Sequence, residues 1–161
     1  MQNTYFVKFS KKFNCSYGQL INIIKEPGNL NNFHPFCKKN TPISWPNGPT
    51  SDELIYLNNK VFVRGINHWY ENGYDLTITS DRISAEVQWR VFSKKNGACL
   101  EIRIFPNFLN KGSLLNFFTF YLYIRPKLRS YLKSIFKGLD FYVHKNVCVR
   151  PNQFGRHTWF S

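Results

Sequence analysis

"SLLNFFTFYLYIRPKLRSYLKSIFKGLDFYV", residues 113–143, is the stretch that decides the fold. Its first third is apolar and aromatic, Pro126 interrupts it, and the remainder repeats with a helical period. Leu128, Leu132, Ile135, Phe136, Leu139, Tyr142 and Val143 recur at intervals of three and four, which marks one face of a helix from Pro126 to about His144. Proline suits a first helical position and steers the residue before it away from helical geometry. The run 114–124 is therefore expected to be separate from the helix or sharply kinked against it. As a helix that run would rise only about 16 Å, whereas a membrane span takes about 20 residues. It is too short to cross a bilayer.

Upstream, the period changes to two. Tyr5, Val7 and Phe9 alternate with Lys8 and Ser10 in a strand expected over Thr4 to Phe13. Ser16 is placed to cap a short helix carrying Leu20, Ile21, Ile23 and Ile24, which Pro27-Gly28 ends. A second helical turn is expected over Leu30 to Phe36. "NTPISWPNGPT" supplies a strand near Ile43 to Trp45 and then a Pro/Gly turn.

Strands then follow closely. Asp52 to Leu57 is one and Lys60 to Tyr70 the next, with Asn67 and Trp69 on one side and Arg64, Ile66 and His68 on the other. Asn72-Gly73 is the strongest two-residue hairpin signal. Tyr74, Leu76 and Ile78 alternate beyond it. After a turn at Asp81-Arg82, Ile83, Ala85, Val87, Trp89 and Val91 share a face. The Asn96-Gly97 turn leads to Leu100, Ile102 and Ile104, opposite Glu101 and Arg103. This is an antiparallel meander with one dry face.

The resulting order is strand, two short helices, about six strands, a greasy connection and one long helix. No repeat or low-complexity linker divides residues 1–161, so one domain is expected. A sheet this wide cannot be covered by one helix about 10 Å across, so it must either leave apolar surface bare or curl around the helix, and curling leaves a hollow between them. At this point the chain resembles the START-like, or Bet v 1-like, superfamily in element order and in "NLNNFHPF", "YENGYDLTI", "ISAEVQWRVF" and "LRSYLKSIFKGLDFYV". The closing "VRPNQFG" looks like the tail of members in the polyketide cyclase/dehydrase and lipid-transport group. The resemblance implies an α+β helix-grip fold: a curved antiparallel sheet wrapped around a long C-terminal helix, with two short helices after the first strand. It also implies binding of hydrophobic small molecules, lipids or polyketide-like compounds, with catalysis in only some members.

Composition fits that expectation. Sixteen Phe, nine Tyr and four Trp exceed what a small core requires, and surplus aromatic residues line cavities and interfaces. The excess of 22 Lys and Arg over 9 Asp and Glu gives a net charge of +13, which favours an anionic partner without choosing one. Scattered basic pairs and the absence of any finger, zipper or helix-turn-helix spacing argue against nucleic acid. Cys15, Cys37, Cys99 and Cys148 show no metal spacing, and they are expected to be reduced thiols in a cytoplasmic protein. His34 with Cys37 is too little for zinc. No cofactor is called for, since no phosphate loop, HExxH or GxSxG is present.

The expected lining is His34, Trp45, Tyr56, Trp69, Tyr74, Trp89 and Phe105 with Leu128, Leu132 and Phe136 of the helix; Phe105 requires a bulge to turn inward. His34, in the entrance region that the resemblance implies, is a candidate to hold a ligand head group. For catalysis, His68 with Glu71, or Glu86 paired with Arg103, are the candidates, but alternation sends Glu86, Glu101 and Arg103 outward. No catalytic residue is assigned. Arg125, Arg129, Lys133 and Lys137 stand four apart beside the apolar face, with Lys127 between. Like charges at that spacing repel, and three cations in a first turn oppose the helix dipole, so an anionic contact such as a membrane surface would offset the cost. The greasy run is then a lid with transient membrane contact. The alternatives are packing on its own sheet or a homodimer contact. Three functions remain open: a carrier of a hydrophobic ligand, a cyclase- or dehydratase-like enzyme, and a surface-interaction module.

Overall fold

A computed structural model describes residues 5–45, 50–81, 83–107 and 113–161. The Pro/Gly turn expected within 46–49, the Arg82 half of the Asp81-Arg82 turn and the strand start at Thr4 lie outside them. The chain runs β1 (Val7–Phe13), α1 (Tyr17–Lys25), α2 (Leu30–Phe33), β2 (Cys37–Ser44), β3 (Ser51–Tyr56), β4 (Val61–Tyr70), β5 (Gly73–Thr79), β6 (Ser84–Lys94) and β7 (Gly97–Pro106). It closes with α3 (Leu114–Thr119), a π-helical turn (Phe120–Ile124) and α4 (Arg125–Lys145).

The strands form one antiparallel sheet in the order β1-β7-β6-β5-β4-β3-β2. The meander β2 to β7 is thus joined at its β7 edge by β1, and α1 and α2 carry the chain to the opposite edge. Bulges in β2 and β4 help bend the sheet. Its concave face carries Leu54, Phe62, Leu76, Val87, Leu100 and Ile102, all buried. The long helix grips that face, with Phe136 against Phe9 and Phe13 of β1, ring centres 4.9 and 5.9 Å apart. This is the helix-grip arrangement.

Three local expectations are corrected. β2 begins at Cys37, well before Ile43, because Cys37, Lys39 and Asn40 pair along β3, with a bulge at Lys38, and little apolar alternation marks the segment. The hairpin turn after β4 falls on Glu71 and Asn72, with Gly73 already opposite Tyr70. Gly73 has φ +153, and a Cβ there would meet the Trp89 carbonyl oxygen at 1.9 Å, so close strand approach is what requires the glycine.

Third, Pro126 does not force Arg125 out of helical geometry. Arg125 is helical (φ −57, ψ −48) and its N–H donates to the Phe120 carbonyl, five residues back. The wider π turn lies just ahead of the proline, and helix continues through it from Arg125 to Lys145. The helix therefore starts at the Ser113 cap, whose hydroxyl accepts from the Asn116 N–H. Arg125, Lys127 and Arg129 stand in mid-helix, away from the dipole's positive end.

Candidate functional site

Between sheet and helix lies a cavity of about 400 Å³. Its sheet wall is built by alternation: Phe62 and Arg64 of β4, Leu76 and Ile78 of β5, Ala85, Val87 and Trp89 of β6, Ile102 and Ile104 of β7. The helix wall repeats at three and four: Ile124, Leu128, Tyr131, Leu132 and Ile135. Leu30 and His34 border it from the α2 side, and Trp159 and Phe160 from the C-terminal tail.

Of the residues expected as lining, His34, Tyr56, Trp89, Leu128 and Leu132 border this cavity. Trp45, Trp69, Tyr74 and Phe136 do not. The β4 bulge between Ile66 and His68 reverses alternation, so Trp69 sits opposite Tyr74 while His68 moves to the outer side. Trp45, Trp69, Tyr74 and Trp89 then form a ladder of ring contacts, spaced 5.5, 5.3 and 5.7 Å, that leads away from the cavity towards the end covered by α1. Phe136 is spent on β1. Phe105 keeps strict alternation, faces outward and packs on Phe6 at 5.7 Å.

The polar lining is sparse and internally paired. Asp52 and Arg64 are direct cross-strand neighbours, and Arg64 Nε donates to Asp52 Oδ1 at 2.7 Å. Burial works to lower the Arg64 pKa, but the Asp52 carboxylate outweighs it and holds the guanidinium above its usual value. His34 is only 4% exposed, so it is not an entrance residue. Its Nδ1 accepts the Phe36 N–H at 3.2 Å, and its Nε2 lies 2.9 Å from the Tyr131 hydroxyl. That hydroxyl lies 2.8 Å from the hydroxyl of Tyr56. Burial, with the Arg64 charge adding to it, lowers the His34 pKa from 6.5 to about 3.

The other chemical candidates separate. His68 is exposed and stacked on Tyr70. Glu86 lies opposite Phe105 in register, and Arg103 pairs with Glu101 at 2.7 Å, a bridge Lys8 joins at 3.0 Å. Both ring nitrogens of His34 are engaged within the protein, and burial pushes the Cys37 thiol up to about 12. Among the described residues no three His, Cys, Asp or Glu side chains gather as a metal set.

Tyr131, Arg64 and the tail were not anticipated. Tyr131 follows Leu128 by three and so fits the helical stripe already read there. Asp52 shares a strand face with Leu54 and Tyr56, and Arg64 with Phe62, on adjacent strands, which is the signature of an inward-facing ion pair. The tail offered no period. Its position is set by hydrogen bonds: Asn58 donates to the Trp159 carbonyl at 2.7 Å, and Lys127 to the Thr158 hydroxyl at 3.0 Å.

On the outside of the long helix, Leu114, Leu115 and Leu122 are each at least 74% exposed, and Phe118 is 55% exposed. Arg125, Arg129, Lys133 and Lys137 are also exposed, Arg125 lying over the Tyr121 ring at 5.6 Å. Lys127 is half-buried against the tail. No helix of the described residues is long and apolar enough to cross a membrane.

No sequence-family model and no curated protein matches this chain. Solved structures do. A START superfamily protein from Mycobacterium smegmatis superposes with TM-score 0.72 at 13% identity, covering 88% of this chain and 99% of that one. The fold is START-like. A protein of Thermus thermophilus shares it at TM-score 0.71 and 10% identity, again over 88% of this chain and 99% of that one. Ara h 8.0201 does so at TM-score 0.66 and 13% identity, with the same coverage. In this START-like fold the helix grip and the hollow beneath it follow from the same geometry, a sheet wider than the helix that covers it.

Proposed function

We propose that this chain, residues 1–161 acting as a single domain, binds and carries a small hydrophobic molecule in the cavity between sheet and helix. The observation that carries the reading is the hollow itself: about 400 Å³, walled by aliphatic and aromatic side chains, with its charged pair already neutralised. Native interiors pack to crystal density, so a void of this size on an apolar face is a site for a guest. Burying about 200 Å² of apolar ligand surface stabilises a complex by roughly 5 kcal/mol before ordering costs. Acid–base catalysis of a cyclase or dehydratase kind has weaker support, because His34 is committed at both nitrogens and Asp52 to Arg64.

The test is titration with aminoanthracene, a neutral dye that brightens in apolar surroundings. Saturable enhancement in the wild type that is abolished in Val87→Trp, with the variant still folded by circular dichroism, supports the reading. Equal enhancement in both proteins overturns it.

A second observation favours a place of delivery. Leu114, Leu115, Phe118 and Leu122 are exposed on the helix whose residues Thr119, Tyr123 and Ile124 border the cavity, and exposed cations follow along it. That composition suits transient contact with an anionic membrane surface in the cytoplasm. Flotation with anionic but not neutral vesicles, weakened by salt, supports the contact. Flotation independent of lipid charge, or a dimer that hides the same residues, overturns it.

A further inference from the structure

Apart from the Arg64–Asp52 pair, the polar groups bordering the deep wall of the cavity form one directed chain. The Phe36 N–H donates to His34 Nδ1, so that nitrogen carries no proton, and the proton of the neutral ring sits on Nε2. Burial keeps the ring neutral, with a pKa of about 3. Nε2–H therefore donates to the Tyr131 hydroxyl at 2.9 Å, and the Tyr131 and Tyr56 hydroxyls share one further hydrogen bond at 2.8 Å. Two hydroxyl hydrogens are present and that bond uses one of them. The other has no acceptor among the described residues. A head-to-tail chain is favoured because each bond polarises the next, which leaves the spare hydrogen on Tyr56. Burial pushes both phenols above their ordinary pKa, so the group stays a neutral donor.

We propose that the ligand is an uncharged apolar molecule bearing one carbonyl-type oxygen (ketone, ester or amide), seated so that this oxygen accepts the spare hydroxyl hydrogen of the Tyr56–Tyr131 pair. The inference rests on the cavity being a ligand site. An acceptor is required because a buried donor left unmet costs the full desolvation of the group, whereas a ligand that only donates would leave the hydrogen unmatched. Neutrality follows from the remaining charges. Arg64 spends Nε and Nη2 on Asp52, and Lys60 turns its ammonium to the Trp159 carbonyl at 3.4 Å. One phenol donor cannot replace the water shell of a carboxylate.

Three probes of matched chain length separate the outcomes: undecane, methyl nonyl ketone and decanoate, each competing with aminoanthracene. The ketone is also examined by difference infrared spectroscopy with a labelled carbonyl. The expected result is displacement by undecane and ketone, and a bound carbonyl band at lower frequency than in hexane. In Tyr56→Phe/Tyr131→Phe that band returns towards the hexane position, and ketone affinity relative to undecane falls about three- to tenfold. If both probes displace the dye but the wild-type band matches hexane, the hydroxyl assignment is overturned while the cavity reading stands; this needs no variant to fold. Displacement by neither probe overturns both. Decanoate displacing the ketone, with its own carboxylate band perturbed, overturns the uncharged class.

Discussion

The hydroxyls of Tyr56 on the sheet and Tyr131 on the long helix meet at 2.8 Å, joining the two walls of the hollow at one polar point. His34 backs that point from the α2 side, so sheet, helix and crossover converge on a single hydrogen-bonded chain.

The two phenols are not equivalent. Tyr131→Phe strands the buried His34 Nε2–H and is expected to cost about 1–3 kcal/mol. Tyr56→Phe removes the end of the chain and is expected to cost only about 0.5–1.5 kcal/mol. Urea unfolding midpoints of the two variants give the order directly, and equal losses would contradict the donation from His34 Nε2–H to Tyr131.

His34 makes stability depend on pH. Its folded pKa, about 3, lies below the ordinary 6.5, so the unfolded chain binds the proton first as pH falls. The stability it contributes is complete above pH 6.5 and declines below it, down towards pH 3, at about 1.4 kcal/mol per pH unit. Other groups titrate in the same range, so the expected observation is a difference: His34→Gln, which can still donate to Tyr131, shows a shallower decline in unfolding free energy between neutral pH and the acid limb.

Asp52→Asn removes the negative half of a buried pair and leaves the Arg64 charge unmatched under the β3–β4 wall. A loss of about 3–5 kcal/mol is expected. Replacing both partners by apolar residues, Asp52→Leu with Arg64→Met, should recover most of it, since an apolar replacement of a whole buried pair is often neutral. Chemical denaturation of the three proteins measures both steps.

Gly138 marks where α4 crosses α2. A Cβ at that position would meet the Phe33 carbonyl oxygen at 2.0 Å, and backbone cannot step aside as a side chain would. Gly138→Ala is therefore expected to destabilise by about 1–3 kcal/mol despite the better helix propensity of alanine. Ser130→Ala, exposed on the same helix, is the control and should change the melting temperature little.

The fold was legible where burial imposes a period. Ala85, Val87, Trp89 and Val91 alternate as the sheet requires, and Leu128, Leu132 and Ile135 step as the helix requires, so both cavity walls could be read from residue order. The errors came where one local event shifts a period. A single-residue bulge after Ile66 turned Trp69 and His68 to the opposite sides, and a π turn let helix pass through Pro126. Neither event leaves a mark in hydrophobic pattern. The polar chain was harder still, since Tyr56 and Tyr131 are 75 residues apart and meet only through the helix grip. The C-terminal tail, which adds Trp159 and Phe160 to the wall, is placed by specific hydrogen bonds that no periodicity encodes.

The proposed seat of the guest, the hollow under the helix, can be located with a bound alkane. Methyl-labelled protein with bound undecane tests it through intermolecular nuclear Overhauser effects. Contacts from the alkane to Leu76, Ile102, Leu128 and Leu132 are predicted. Contacts confined to Leu114, Leu115 and Leu122 on the outer helix face, or none at all, would contradict it.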